Sequence, residues 1–123
     1  MKRLVVSSYN FDFPEKLYHA TFKVYLDSIK KHGLLSKSPN INWEGLSIDA
    51  IYLSDDPESA ESFCEVAEVS DEVWNSGIII FEINTSDLNL DLLDEDENIL
   101  DEIGSYVYFG NIPFSKLTVY SEE

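Results

Sequence analysis

Apolar and polar residues alternate in short blocks along the chain, and six of these blocks have the pattern of β-strands. They lie at residues 3–7, 16–20, 50–53, 77–83, 106–109 and 117–120. Segment 77–83 has the densest β-branched content, which predicts a central strand. We expect loops at 36–48 and in the acid-rich segment 86–101.

A first helix is predicted directly after the strand at 16–20. Thr21 is a favourable N-cap residue, and apolar side chains follow at helical spacing from Phe22 to Ile29. Gly33 then provides a typical helix end. The sequence therefore predicts a helix between Thr21 and Gly33.

A second helix is predicted after Asp56, which precedes Pro57 as an N-cap precedes the first helical turn. Its apolar face consists of Ala60, Phe63, Cys64 and Ala67. With two main helices among clustered strands, we expect an α+β fold with a mostly antiparallel sheet. The length of 123 residues fits one domain spanning 1–123.

Charge is distributed unevenly along the chain, whose formal net charge is −16. Residues 1–37 hold seven of the eight basic residues and three acidic ones, a net charge of +4, whereas residues 38–123 carry −20. A body this acidic repels phosphates, so we expect a protein partner rather than direct nucleic-acid binding. The charge also has a simpler interpretation, which is that it keeps a small protein soluble.

The sequence has one cysteine, Cys64, and no apolar run long enough to span a membrane. These features favour a cytoplasmic protein that has no membrane partner. Two histidines and one cysteine do not form a metal-binding pattern, so no metal site is expected.

Two segments carry a recognisable combination of residues: Leu-Tyr-His-Ala-Thr at 17–21, and Ala-Ile-Tyr-Leu-Ser-Asp at 50–55 followed by Ser-Ala-Glu-Ser-Phe-Cys at 59–64. Together they resemble the diphtheria-toxin-like branch of the ADP-ribosyltransferases, which includes the poly-ADP-ribose polymerases. Members have a Tyr-His-Gly-Thr-like strand end, an Ile-Tyr-Phe-Ala-Asp-like strand and a helix with Ser-Ala-Asn-Tyr-Cys. The resemblance implies an ADP-ribosyltransferase-like split sheet, NAD as substrate and ADP-ribose transfer to a protein or nucleic acid.

The resemblance also implies a role for each matching residue at the strand end. His19 matches the histidine that hydrogen-bonds the nicotinamide-side ribose. Backbone groups of Ala20 would hold the carboxamide, at a position where the family usually has glycine. Thr21 matches the small hydroxyl residue that follows.

The second segment supplies the aromatic part of the implied site. Tyr52 matches the first aromatic residue of the family, and Phe63 the ring that stacks on nicotinamide. Ser59 matches the serine that holds the carboxamide if one residue is inserted before Phe63, and otherwise the position is Ala60. Tyr52 and Phe63 also fit ordinary core positions.

The third element of the family, a glutamate on a closing strand, has no direct match. Counting back from Ile112 places Ser105 at its position. That glutamate stabilises the oxocarbenium-like transition state as nicotinamide leaves, which serine cannot do. Glu102, or Asp101 beside it, could substitute after a register shift, so the candidate catalytic residues are His19, Tyr52 and Glu102.

Two functions remain open from the sequence. The chain is either a small mono-ADP-ribosyltransferase, or a catalytically silent acidic protein that binds or inhibits a basic partner by mimicking nucleic acid, as acidic phage antidefence proteins do. The two functions predict opposite sensitivities. An enzyme depends on His19, whereas an inhibitor depends on acidic residues such as those at 91–97.

Overall fold

The structure is a computed structural model that describes residues 13–36, 50–67, 69–95 and 105–122. Within these ranges, strands β1 Lys16–Phe22, β2 Ile51–Ser54, β3 Ile78–Asn84, β4 Leu93–Glu95, β5 Ser105–Tyr108 and β6 Thr118–Glu122 form one sheet. Their order across the sheet is β4-β5-β2-β1-β3-β6, and all neighbours are antiparallel. The helices are α1 Leu26–His32, α2 Pro57–Val66 and α3 Asp71–Asn75. The predicted α+β class with an antiparallel sheet is therefore confirmed.

The sheet is covered by apolar side chains on both faces. On one face, β-strand residues such as Leu17, Leu53 and Phe81 pack with Ile29 of α1 in the larger core cluster. On the other face, Ala20 and Phe22 pack with residues of α2 and β3 in a smaller one, whose members are Ala20, Phe22, Ala60, Cys64, Ile78 and Ile80. We call these the α1 face and the α2 face of the sheet.

The predicted start of the first helix is wrong. Thr21 is not an N-cap residue but part of β1, 2% exposed, and pairs with Ile79. The strand continues through Phe22 because β3 offers partners along its whole length. A short 3-10 turn at Lys23–Tyr25 then leads into α1 at Leu26.

The ends of α1 and α2 form as the sequence predicts. Gly33 ends α1 with a φ of 75°, a conformation that favours glycine. The side chain of Asp56 caps α2 by accepting a hydrogen bond of 2.8 Å from the backbone N–H of Ser59. Both helix ends are therefore confirmed.

Two elements were not predicted. Helix α3 begins after Ser70, whose side chain accepts a hydrogen bond from the N–H of Val73. Strand β4 lies in the acid-rich segment that we expected to be a loop, and its Leu93 is buried. The predicted strand at 3–7 and nearly all of the predicted loop at 36–48 lie outside the described residues. In the part of the chain that is described, no helix has the length and apolar character needed to cross a membrane.

Candidate functional site

Strand β1 is held very differently by its two neighbours. Its register with β3 runs over seven consecutive pairs, from Lys16 with Asn84 to Phe22 with Ile78. Its register with β2 contains, among the described residues, the single pair Tyr18 with Ser54. The sheet is therefore continuous on one side of β1 and nearly separated on the other.

The hydrogen bonds that extend this β1–β3 ladder show which way the peptide groups of β1 point. Thr85 N–H donates to the carbonyl of Glu15 at 3.0 Å, and Lys23 N–H donates to that of Gly77 at 2.9 Å. In an antiparallel ladder, alternate residues direct both backbone groups to the same neighbour. The backbone N–H and C=O groups therefore point toward β3 at residues 15, 17, 19, 21 and 23. Those of Ala20 and Phe22 point toward β2.

His19 lies where the ladder to β2 stops. Its Nδ1 is 2.8 Å from the carbonyl oxygen of Tyr52. Continuing the register of Tyr18 with Ser54 would pair Ala20 with Tyr52, and that pair is absent from the ladder. The imidazole thus engages the carbonyl that a regular ladder would pair with the N–H of Ala20.

The protonation state of His19 follows from this contact. A carbonyl oxygen only accepts hydrogen bonds, so Nδ1 carries the proton and donates it. Burial lowers the pKa of His19 below its ordinary value, and the hydrogen bond to Tyr52 opposes this effect in part. At neutral pH the ring is therefore uncharged, which leaves Nε2 as a hydrogen-bond acceptor.

The site residues divide between the two faces of the sheet. Ala20 packs on the α2 face, so His19 and Thr21, its neighbours in the strand, lie on the α1 face. Ile51 and Leu53 belong to the core of the α1 face, which places Tyr52 on the α2 face. His19 and Tyr52 meet through a side chain and a backbone carbonyl rather than through their two rings.

Tyr52 and Phe63 form an aromatic pair on the α2 face. Their ring centroids are 5.9 Å apart, and the ring planes differ by 33°. Phe63 is partly exposed, whereas Tyr52 is 7% exposed. Ala20 occupies the β1 position that the register of Tyr18 with Ser54 places opposite Tyr52. The aromatic pair therefore lies beside the place where β1 and β2 separate.

Ser59 lies one helical turn before Phe63, on the same side of α2. Its hydroxyl donates to Asp56 Oδ2 at 2.9 Å, within the cap of the helix. Backbone donation from Ser59 lowers the pKa of Asp56, whereas desolvation and the neighbouring Asp56 raise that of Asp55. Ser59 thus donates to the Asp56 cap of α2, and its hydroxyl oxygen can still accept a hydrogen bond.

Two buried hydroxyl groups lie where the ladder between β1 and β2 stops, a place that we call the β1–β2 junction. Neither has a hydrogen-bond partner among the described residues. Thr21 Oγ1 lies on the α1 face and Ser54 Oγ on the α2 face. Buried hydroxyls without partners are destabilising, so each such group calls for an explanation, and a ligand that binds it is one. Ser54 is not among the site residues predicted from the sequence. The available signal was a serine that ends an otherwise apolar strand.

The structure does not place the acidic residues of the predicted site. Ser105 is the first residue of β5 and pairs with Ser54, so its backbone lies next to the junction. Glu102 and Asp101 lie outside the described residues. Across the described ranges, no group of three or more His, Cys, Asp or Glu residues is placed to hold a metal ion.

The arrangement offers peptide groups, an aromatic pair and an uncharged imidazole around one break in the sheet. Groups of these kinds are chemically complementary to a small planar ligand that carries both a donor and an acceptor. Comparisons with models of protein families, with curated proteins and with solved structures found no match.

Proposed function

We propose that the chain binds NAD at the break between β1 and β2 and transfers its ADP-ribose to a protein. One observation carries the proposal: the N–H and C=O of Ala20 face β2 where the ladder stops, beside the rings of Tyr52 and Phe63. A carboxamide has one donor group and one acceptor, which complement a peptide N–H and C=O. The attached pyridine ring suits an aromatic pair.

The alanine at this position is compatible with the proposal. Its methyl group packs with Phe22 and α2 residues in the core of the α2 face, and Ala20 is 4% exposed. Side chains stand roughly perpendicular to the sheet, whereas peptide groups lie in it. The methyl group therefore leaves the path to the peptide groups of Ala20 clear.

An ADP-ribosyltransferase-like fold is part of the proposal. Support comes from the resemblance of 17–21 and 50–64, and from an antiparallel sheet whose central junction is held by one ladder pair. His19 and Thr21 would meet the ribose from the α1 face, His19 by accepting a hydroxyl hydrogen bond at Nε2. Ser59 would hold the carboxamide from the α2 face.

Transfer breaks the bond between nicotinamide and ribose, and joins the ribose carbon to a nucleophile of the target. An anion close to the ribose stabilises the positive charge that develops in the transition state. We assign this role to Glu102, because Ser105 cannot perform it. Tyr52 completes the candidate catalytic set with His19.

Calorimetry with NAD tests the binding site. We expect the wild type to bind, and Phe63→Ala and His19→Ala to bind at least about tenfold more weakly, since each removes a ligand contact. Phe109→Ala is the matched control, because Phe109 is 45% exposed and directly follows β5. Equal affinities in all four proteins would contradict the proposal.

Activity is tested separately with Glu102→Gln. We expect NAD affinity to stay the same, while NAD hydrolysis and transfer fall at least about a hundredfold, since the anion near the ribose is lost. Asp101→Asn is the control and should retain activity. Unchanged activity in Glu102→Gln would remove Glu102 from the mechanism.

The second candidate function is a silent acidic protein that binds a basic partner. The net charge of −20 over residues 38–123 favours it, and so does Ser105 at the expected glutamate position. Charge reversal within 91–97 would then abolish function, and His19→Ala would not. Binding of this kind also weakens steeply as salt increases.

A further inference from the structure

We propose a second site, a docking surface for a basic protein at the edge of the sheet where β1 ends and β3 begins. We call it the Trp74 surface and define it by Val24, Tyr25, Asp71, Glu72 and Trp74. It goes beyond the proposed NAD site and does not depend on it.

The apolar centre of this surface is formed by two elements that meet at one turn. Trp74 of α3 tilts against Phe22, with ring centroids 5.9 Å apart, and is still 44% exposed. Val24 is 50% exposed, and its N–H donates to Ser76 Oγ at 3.2 Å. Tyr25 also contacts Phe22, with ring centroids 6.5 Å apart. The exposed residues Trp74 and Val24 therefore both lie at the turn that follows β1.

Trp74 is presented on a well-anchored element. Ser70 caps the start of α3, and Ser76 Oγ donates to the carbonyl of Val73 at 2.7 Å at its end. Val73 packs against the core of the α2 face. Because the ring is held in place before binding, little side-chain entropy would be lost on contact with a partner. Tryptophan is also among the residues that dominate binding energy at protein interfaces.

The charged residues around the apolar centre of the Trp74 surface indicate the chemistry of its partner. Asp71 precedes Trp74 by three residues and therefore shares its side of α3, and Glu72 is exposed beside it. Lys23, next to Val24, lies 4.0 Å from Glu122 in an ion pair. An apolar centre with an acidic rim complements a protein surface that has lysines or arginines around an apolar patch.

Other occupants fit less well. Phosphates of a nucleic acid would be repelled by the acidic rim and by the net charge of −16. A second copy of the chain carries the same charge, so it would also be repelled. Trp74 and Tyr25 both contact Phe22, which lies two residues along β1 from Ala20, so a docked protein would be held close to the β1–β2 junction.

The probe is a synthetic amphipathic helical peptide made of leucine and lysine, and the protein is the full chain with Trp43→Phe, which leaves Trp74 as the one fluorophore of its type. We expect saturable binding with a blue shift of Trp74 emission, and weaker binding at higher salt. Calorimetry should show Trp74→Ala and Asp71→Lys each binding at least about tenfold more weakly. Phe109→Ala, which removes another exposed aromatic ring, should bind like the wild type.

Two further measurements keep this proposal separate from the NAD site and from simple charge attraction. His19→Ala should bind the peptide normally without NAD, whatever the result for NAD itself. Poly-lysine without leucine should bind at least about tenfold more weakly than the amphipathic peptide. Equal binding of the two probes, or equal binding by Trp74→Ala and Phe109→Ala, would overturn the proposal.

Discussion

The two flanks of β1 differ more than any other neighbouring regions of the sheet. Toward β3, seven residue pairs follow without interruption, and the apolar partners are almost fully buried. Toward β2, one pair forms, and a histidine side chain engages the next carbonyl. The same strand is therefore paired along its whole length on one side and directs the peptide groups of Ala20 and Phe22 to an interrupted ladder on the other.

This difference explains how a regular strand can contribute to a binding site. Backbone groups in a complete ladder are satisfied and cannot bind a ligand. A break in the ladder makes them available, and the intact ladder on the opposite side keeps them in position. Under the proposed function, β3 stabilises the fold and the β2 side of β1 binds NAD.

The largest expected effect comes from the β3 side. Phe81→Ala removes a fully buried ring, so the free energy of unfolding should fall by about 3–5 kcal/mol. Val119→Ala is the matched control, because Val119 is the register partner of Phe81 but is 43% exposed, and it should cost less than about 0.5 kcal/mol. Urea denaturation measures both variants. Similar losses would show that β3 does not support the sheet as described.

Hydrogen exchange compares the two flanks residue by residue. The amides of His19 and Thr21 point to β3, and those of Ala20 and Phe22 point to β2. We expect the amide of Ala20 to exchange roughly a hundredfold faster than those of His19 and Thr21. Equal protection along β1 would mean that the ladder to β2 is complete in solution.

Substitutions of His19 sharpen its assigned role at the junction. The side-chain amide of His19→Asn places an N–H near the position of Nδ1, so this variant should keep the bond to the Tyr52 carbonyl. His19→Gln reaches the position of Nε2 instead and should lose about 1–3 kcal/mol of stability. Thermal denaturation measures the difference. If Asn and Gln are equally destabilising, the bond to Tyr52 does not hold the junction.

The smallest expected effect is a dependence of stability on pH. Burial lowers the pKa of His19 in the folded state, whereas an unfolded histidine has its ordinary pKa of about 6.5. As pH falls below about 6.5, the unfolded state binds more protons, so the free energy of unfolding decreases. Denaturation between about pH 7.5 and 5 should show this decrease in the wild type and in His32→Asn, and a weaker one in His19→Asn.

This pH range avoids the contribution of the α2 cap. The pKa of Asp56 is lowered from an ordinary value of 3.8, mainly by the backbone N–H of Ser59. Its stabilising effect is therefore lost only at more acidic pH, as the pH falls through its folded-state pKa. A slope that is the same in His19→Asn would assign the dependence to other groups.

The sequence predicts those parts of the fold that depend on local chemistry. Asp56 before α2, Pro57 at its first position and Gly33 after α1 predict helix ends that are confirmed. The prediction of Thr21 as an N-cap is wrong because such a residue can also continue a strand when a neighbouring strand pairs with it. Here β3 is that neighbour. The five-residue helix α3 and the three-residue strand β4 are too short for a periodic signal.

The candidate site is less accessible to prediction for a physical reason. The residue types at 19, 20, 52 and 63 can be read from the sequence, but the direction of a peptide group and the break in a ladder arise from the register between distant strands. The register also places His19 and Tyr52 on opposite faces, and Ser54 at the junction. No pattern within one segment contains that information.

The most direct test of the central claim is an NMR titration of the full chain with nicotinamide, observing backbone amides. We predict saturable shifts centred on the amide of Ala20, with neighbouring shifts at Tyr52 and Phe63 and little change in residues of β6. Saturable shifts that are centred elsewhere, or no shift at Ala20, would contradict the claim that the break between β1 and β2 is the binding site.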